Sequence, residues 1–195
     1  MKKALSACVL ISVAGVTLAC SSVRHLFVAE GYTKNPQQMI KRIVIFSEPF
    51  AQNKDLGKLV SAMTRDVIKT NRNYLVYGLL TTERDVAEAC KVRDGVLKVR
   101  VNKADAAGER VELEMTGELR KCSDHSLVWS ASARSSGKSR NRSLENLIRS
   151  YVEEYGKQAE VFAAPAFNVI EDIVETMPNP ALTEDEVIEK IELEN

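Results

Sequence analysis

Apolar and polar positions change period along this chain, and each change marks a different kind of element. Ile43 to Phe46 is a continuous apolar run, as expected of a strand covered on both faces. From Asn53 the period becomes helical, with Leu56, Leu59, Val60, Met63, Val67 and Ile68 on one face and Asn53 placed to cap the helix start. Tyr74 to Leu80 reads as a second strand, so the stretch predicts a strand, helix, strand unit long enough for a parallel crossover. Burying six such helix side chains is worth on the order of 10 kcal/mol before entropy is charged, so the helix should pack on the sheet. Thr82 followed by Asp85 then predicts a short capped helix ending near Cys90.

After Asp94 and Gly95 the period becomes two. Leu97, Val99 and Val101 alternate with Lys98, Arg100 and Asn102, and Val111, Leu113, Met115 and Leu119 alternate with Glu112, Glu114, Glu118 and Arg120. Leu127, Trp129, Ala131 and Ala133 continue the pattern, which predicts an antiparallel three-strand meander with one wet face. Its dry face calls for a cover, and the segment 143–177 supplies one. Leu144, Leu147, Ile148, Tyr151, Val152 and Tyr155 form a helical stripe that Phe162, Ala166, Ile170, Ile173, Val174 and Met177 extend. Pro165 predicts a kink, or a second helix starting at that residue. Beyond Pro178 and Pro180, Thr183 and Glu186 match a capping box that opens a short acidic helix with Val187, Ile188 and Ile191 on one side. A loosely attached terminus is the expectation there, with a docking peptide as the alternative. The fold class is therefore α+β: a mixed sheet with one β-α-β crossover unit, a short helix, the meander, and a long C-terminal helical segment packed on the sheet.

The amino-terminal residues give an address. Lys2 and Lys3 precede an almost wholly apolar run from Ala4 to Leu18, followed by Ala19 and Cys20. A basic start, a short apolar core and a small-residue cleavage site describe an export signal; a spanning helix needs about 20 apolar residues. Ending at a cysteine, the segment resembles the bacterial lipoprotein signal, in which that cysteine is lipidated and becomes the first residue of the mature chain. Ser21, with no Asp at that position, resembles signals directed to the outer membrane. The expected organisation is a signal peptide over 1–19, a lipidated N-terminus and tether over 20–40, a single α/β domain over 41–178 and an acidic tail over 179–195. Docking of Leu26, Phe27, Val28 and Tyr32 on the domain is the alternative to a free tether.

Charge and cysteine count narrow the classes further. The chain holds 27 basic and 27 acidic residues, and loss of Lys2 and Lys3 with the signal leaves a formal charge of minus two. A nucleic-acid binder would carry a basic excess on one face, so none is expected as a partner. With Cys8 in the signal and Cys20 acylated, Cys90 and Cys122 remain. In an oxidising envelope they predict a disulfide closing a loop of about 33 residues, worth roughly 3.5 kcal/mol on the chain-entropy estimate. Two buried free thiols are the alternative.

Candidate chemistry is thin. Ser132 to Ser139 ends in Gly-Lys-Ser after a strand, but Ser132 stands where a phosphate loop needs glycine. A solvated basic turn explains it, with Arg134, Lys138, Arg140 and Arg142 available to lipid head groups or an acidic partner. His25 falls in the tether, and His125 sits between Asp124 and Ser126 in a turn that cannot set up a catalytic triad. No His or Cys pair has metal-ligand spacing, and Glu112, Glu114 and Glu118 are expected to form cross-strand ion pairs with Lys98, Arg100 and Arg120. Neither catalytic residues, nor a metal, nor a cofactor is expected.

Lys41 to Phe46, the helix containing Asp55 to Leu59, Asp94 to Val99, and Cys122 followed by Leu127 to Trp129 resemble an uncharacterised lipoprotein family known mainly from myxobacteria and leptospires. More distantly, the order of elements is similar to the amino-terminal domain of TolB and to curli-secretion lipoproteins. The resemblance implies oligomers and envelope partners, and carries over no functional residue. The expected function is a lipid-anchored, non-enzymatic interaction or assembly module facing the periplasm. The alternatives are a homo-oligomeric secretion or channel component and, less favoured, a cell-wall-modifying enzyme. The alternating strands carry no aromatic girdle, which argues against membrane-crossing hairpins.

Overall fold

A computed structural model describes residues 20–108, 110–138 and 144–194; the expected signal over 1–19 lies outside them. In chain order the elements are β1 (Cys20–Val28), β2 (Arg42–Ser47), α1 (Lys54–Asn71), β3 (Leu75–Leu80), α2 (Glu83–Ala89), β4 (Gly95–Ala107), β5 (Arg110–Lys121), β6 (Leu127–Lys138), α3 (Glu145–Tyr155), α4 (Lys157–Glu175) and α5 (Glu184–Glu194). The strands form one sheet in the order β1-β6-β5-β4-β2-β3. β2 runs parallel to both β3 and β4, whereas β4, β5, β6 and β1 are antiparallel neighbours. The mixed α+β architecture read from the sequence is the one observed.

Local chemistry starts α1 and α2 as the spacing predicts. The Asn53 side chain accepts from the Leu56 backbone N–H at 3.1 Å, and Thr82 accepts from Asp85 at 3.2 Å. Every apolar residue on the α1 stripe is buried, and so is the run Ile43 to Phe46. The main core lies between the sheet and the layer formed by α1 and α4, with Trp129, Met115, Leu113 and Ile170 among its members. A smaller cluster of Val44, Phe46, Val96 and Cys122 lies under α2 on the opposite face.

Five expectations are corrected. The tether over 20–40 is instead a strand and a connection: β1 pairs with β6 from Cys20 opposite Ser136 to Val28 opposite Trp129. The interruption expected at Pro165 falls at Gly156, whose φ of 82° and ψ of 170° lie in a region essentially reserved for glycine. α4 therefore begins at Lys157 and continues through Pro165. The α3 stripe is only partly covered, with Tyr151 its buried member and Leu147 exposed. Cross-strand pairing holds for Glu112, which meets Lys103 of β4 at 3.1 Å and Arg134 of β6. By contrast, Glu118 pairs along its own strand with Arg120 at 2.8 Å, Lys98 reaches Glu83 of α2 at 3.0 Å, and Arg100 bonds Asn102.

The fifth correction concerns the tail, which is docked. Asn73 donates to Asn179 and Pro180, and the Tyr74 hydroxyl donates to the Pro178 carbonyl at 2.7 Å. In α5, Glu186 accepts from the buried Lys41 ammonium at 2.7 Å, and Glu189 takes a two-pronged bond from Arg42 at 3.1 and 2.6 Å. Lys190 and Lys69 add bonds between α5 and the end of α1. Glu186 also closes the predicted capping box with Thr183. The helix thus lies along the β3 edge, touching groups from both faces of the sheet.

Candidate functional site

β1 is an edge strand of the sheet. Its inner edge is hydrogen-bonded to β6, its outer edge has no strand neighbour among the described residues, and every side chain from Ser22 to Val28 is exposed. Four of those residues are large and apolar: Val23 at 38%, Leu26 at 50%, Phe27 at 40% and Val28 at 36% exposure. A register shift between Val23 and His25 breaks the period of two, which is why the sequence does not announce this strand. The proposed lipid-bearing residue, Cys20, opens the strand directly, with no spacer between it and the sheet. His25 lies on this same exposed strand.

Cys90 and Cys122 are joined by a disulfide with a Cα separation of 4.9 Å. The bond ties the C-cap of α2 to the end of β5 and helps close the smaller apolar cluster. Next to it, between α2 and the wet face of β4 and β5, lies a cleft of 560 Å³ bordered by Glu83, Lys98, Glu118, Arg120 and His125. Two ion pairs lie within it: Lys98 holds Glu83, and Arg120 holds Glu118. His125 has a positive φ of 58° in the β5 to β6 turn, where Asp124 accepts from the Ser126 backbone N–H at 2.9 Å and its hydroxyl at 2.6 Å. Those bonds, the hydroxyl's first, hold the Asp124 carboxyl below its usual range and lock the turn. The arrangement makes a rigid turn; His25 and His125 sit on different elements.

A second crevice, of 520 Å³, opens at the carboxyl ends of β2 and β3 against the first half of α1. Carboxyl ends of parallel strands are the usual binding position in such sheets. The lining includes Pro49, Leu79, Leu80 and Tyr155, together with Ser47 and Ser61, whose buried hydroxyls have no hydrogen-bond partner among the described residues. Burial and the neighbouring Glu154 push the Tyr155 phenol up to about 12, so it remains a neutral donor. Ser47, Ser61 and Tyr155 escaped the sequence reading because they lie on three elements whose meeting depends on the crossover. Such a crevice can seat an apolar group and hydrogen-bond one polar atom.

The Gly-Lys-Ser segment is not a phosphate loop as far as it is described. Ser132 to Lys138 belong to β6, hydrogen-bonded between β1 and β5, while Ser139, Arg140 and Arg142 lie outside the described residues. Arg134 is engaged by Glu112. Among the described residues, no group of three or more His, Cys, Asp or Glu is placed to hold a metal ion. None of the described helices is long and apolar enough to cross a membrane.

Neither a family model nor a curated protein matches this sequence. Solved structures do match it in fold. PelC from Paraburkholderia phytofirmans, a dodecamer, superposes with a TM-score of 0.56 at 14% identity, covering 83% of this chain and 100% of PelC. The lipoprotein GNA1162 from Neisseria meningitidis gives a TM-score of 0.41 at 17% identity, covering 58% of this chain and 96% of that protein. At these identities the PelC likeness is one of fold.

Proposed function

We propose that this chain is a bacterial envelope lipoprotein, acylated at Cys20 and held at the outer membrane with its domain in the periplasm. There it acts without catalysis, as an interaction or assembly module for other envelope proteins. The observation that carries this reading is β1, an edge strand with an open outer side and four exposed apolar residues that starts at the proposed anchor. Several acyl chains bind durably where one binds marginally, because each buried methylene adds about 0.8 kcal/mol. With no spacer, those chains would hold the sheet itself at the bilayer surface. The test has two parts. Radiolabelled palmitate should enter the wild-type chain and be lost in Cys20→Ala; crosslinking in intact cells should then give reproducible adducts that include this protein. Labelling that survives Cys20→Ala refutes the anchor, and recovery of the protein alone refutes the assembly role.

A second reading, a homo-oligomeric secretion or channel component, is favoured by the same open edge together with the fold shared with a dodecamer. Native mass spectrometry of the lipidated protein separates the two. Oligomers of this chain alone support the second reading, and a monomer in both detergent and native membranes removes it.

A further inference from the structure

Sheets protect their edges, and this one protects only one of its two. An edge strand presents unpaired N–H and C=O groups, and natural domains cover it, shorten it or charge it. Here β3 is covered by α5, whereas β1, at the far end of the strand order, is left bare by the described residues. Five intervals of about 4.8 Å separate the two edges, so they are distinct surfaces on opposite sides of the molecule.

α5 is also mounted the unexpected way round. Its acidic groups Glu186 and Glu189 face the domain and bind Lys41 and Arg42, while Val187 and Ile188 are 45% and 57% exposed. An amphipathic helix ordinarily turns its apolar side to the core. The exposed large apolar residues of the described chain therefore gather mainly at two places, the β1 edge and the outer face of α5. Their charges are opposite in sign: β1 carries Arg24 and no acid, whereas Glu184, Asp185 and Glu192 are exposed on α5.

We infer that the occupant of the β1 edge is α5 of a second copy of this chain. The contact is head-to-tail: Val187 and Ile188 of one copy lie against Leu26 and Phe27 of the next, with Arg24 facing the acidic rim. Each copy offers both halves, so the contact repeats and gives a closed ring or an open filament; a two-fold dimer would use one patch twice. The β1 edge then gains in the assembly the cover that β3 has within the chain. This surface rests on the homo-oligomeric reading above.

The heterologous geometry has a distinctive test. In the full lipidated protein in detergent, Val187→Glu with Ile188→Glu should leave monomers by native mass spectrometry, and so should Leu26→Lys with Phe27→Lys. Mixed in equal amounts, the two variants retain one intact pair of patches and should form a 1:1 dimer and nothing larger. Circular dichroism and the intact Cys90–Cys122 bridge check that both variants fold. A pairing that survives poor folding of either variant is tested separately with Phe27→Cys and Ile188→Cys combined, where a bismaleimide should produce a ladder of multimers. A wild-type oligomer that persists in either double variant, or a mixture that stays monomeric, overturns this surface while leaving the oligomeric reading intact. So does an absent ladder. A wild-type monomer in native membranes overturns both.

Discussion

Gly117 of β5 lies against the indole of Trp129 on β6: a Cβ at Gly117 would sit 3.1 Å from the Trp129 Cη2 and 3.2 Å from Ile173 Cγ2. Trp129 is wholly buried, so the largest side chain of the core occupies space that the missing Cβ leaves open, beneath α4. A methyl group could be absorbed by a few tenths of an ångström of movement, but a branched side chain could not. Gly117→Val is expected to destabilise the domain by about 2 kcal/mol through overpacking, and Gly117→Ala by less. Urea unfolding followed by tryptophan fluorescence measures both; equal midpoints for Gly117→Val and wild type would show that the indole has room to move.

The helix break has its own single-residue dependence. Gly156 separates α3 from α4 at φ 82° and ψ 170°, and no atom lies near the position a Cβ would take. The cost of Gly156→Ala is therefore conformational, of order 1–3 kcal/mol, with no steric term. Thermal unfolding of the variant should show the loss. Pro165→Ala, which restores a backbone donor within α4, should leave stability unchanged or raise it.

Reduction should be felt first in the two elements that the sulfur atoms join. The Cys90–Cys122 bond spans 32 positions in sequence and secures α2, whose own residues include none that are buried. Replacing both cysteines by serine is expected to cost about 2–4 kcal/mol. Hydrogen exchange should rise first in α2 and the β5 to β6 turn. Uniform protection across α2 after reduction would mean that the packing of Val86 and Ala89 suffices to hold it.

Acid should release α5 before the domain unfolds. The hydrogen bond from Lys41 is the main reason the Glu186 carboxyl sits below its ordinary value, with the capping bond to Thr183 adding to it. A carboxylate depressed in the folded state stabilises fully above its unfolded value, and that contribution fades as pH falls through the folded one. Limited proteolysis near 184–194 should therefore accelerate below about pH 4, beneath the ordinary glutamate range. Glu186→Gln should be clipped faster than wild type at neutral pH and should lose most of the acid dependence.

Local signals carried most of the architecture. Asn53 and Thr82 cap the helices their spacing implies, the run Ile43 to Phe46 is buried on both faces, and the alternation after Gly95 forms the meander. What escaped depends on distant partners. β1 has no buried face to set its period, and its pairing comes from a strand at the other end of the chain. The attachment of α5 rests on Lys41 and Arg42, which are remote in sequence, and it is Glu186 and Glu189, not the apolar side of the helix, that meet them. Pro165 looked like the helix breaker because a lost donor is visible in the sequence. The backbone angle that only glycine tolerates at 156 is not.

The pairing of β1 with β6 also bears on the order in which the molecule is completed. Cys20 meets Ser136, more than a hundred residues later, and closing so long a segment is slow compared with forming the hairpins of β4, β5 and β6. In a chain that emerges N-terminus first, β1 has nothing to bind until the sixth strand has followed it. The first strand to emerge is thus the last of the sheet to be locked in place, and until then β6 is itself an open edge.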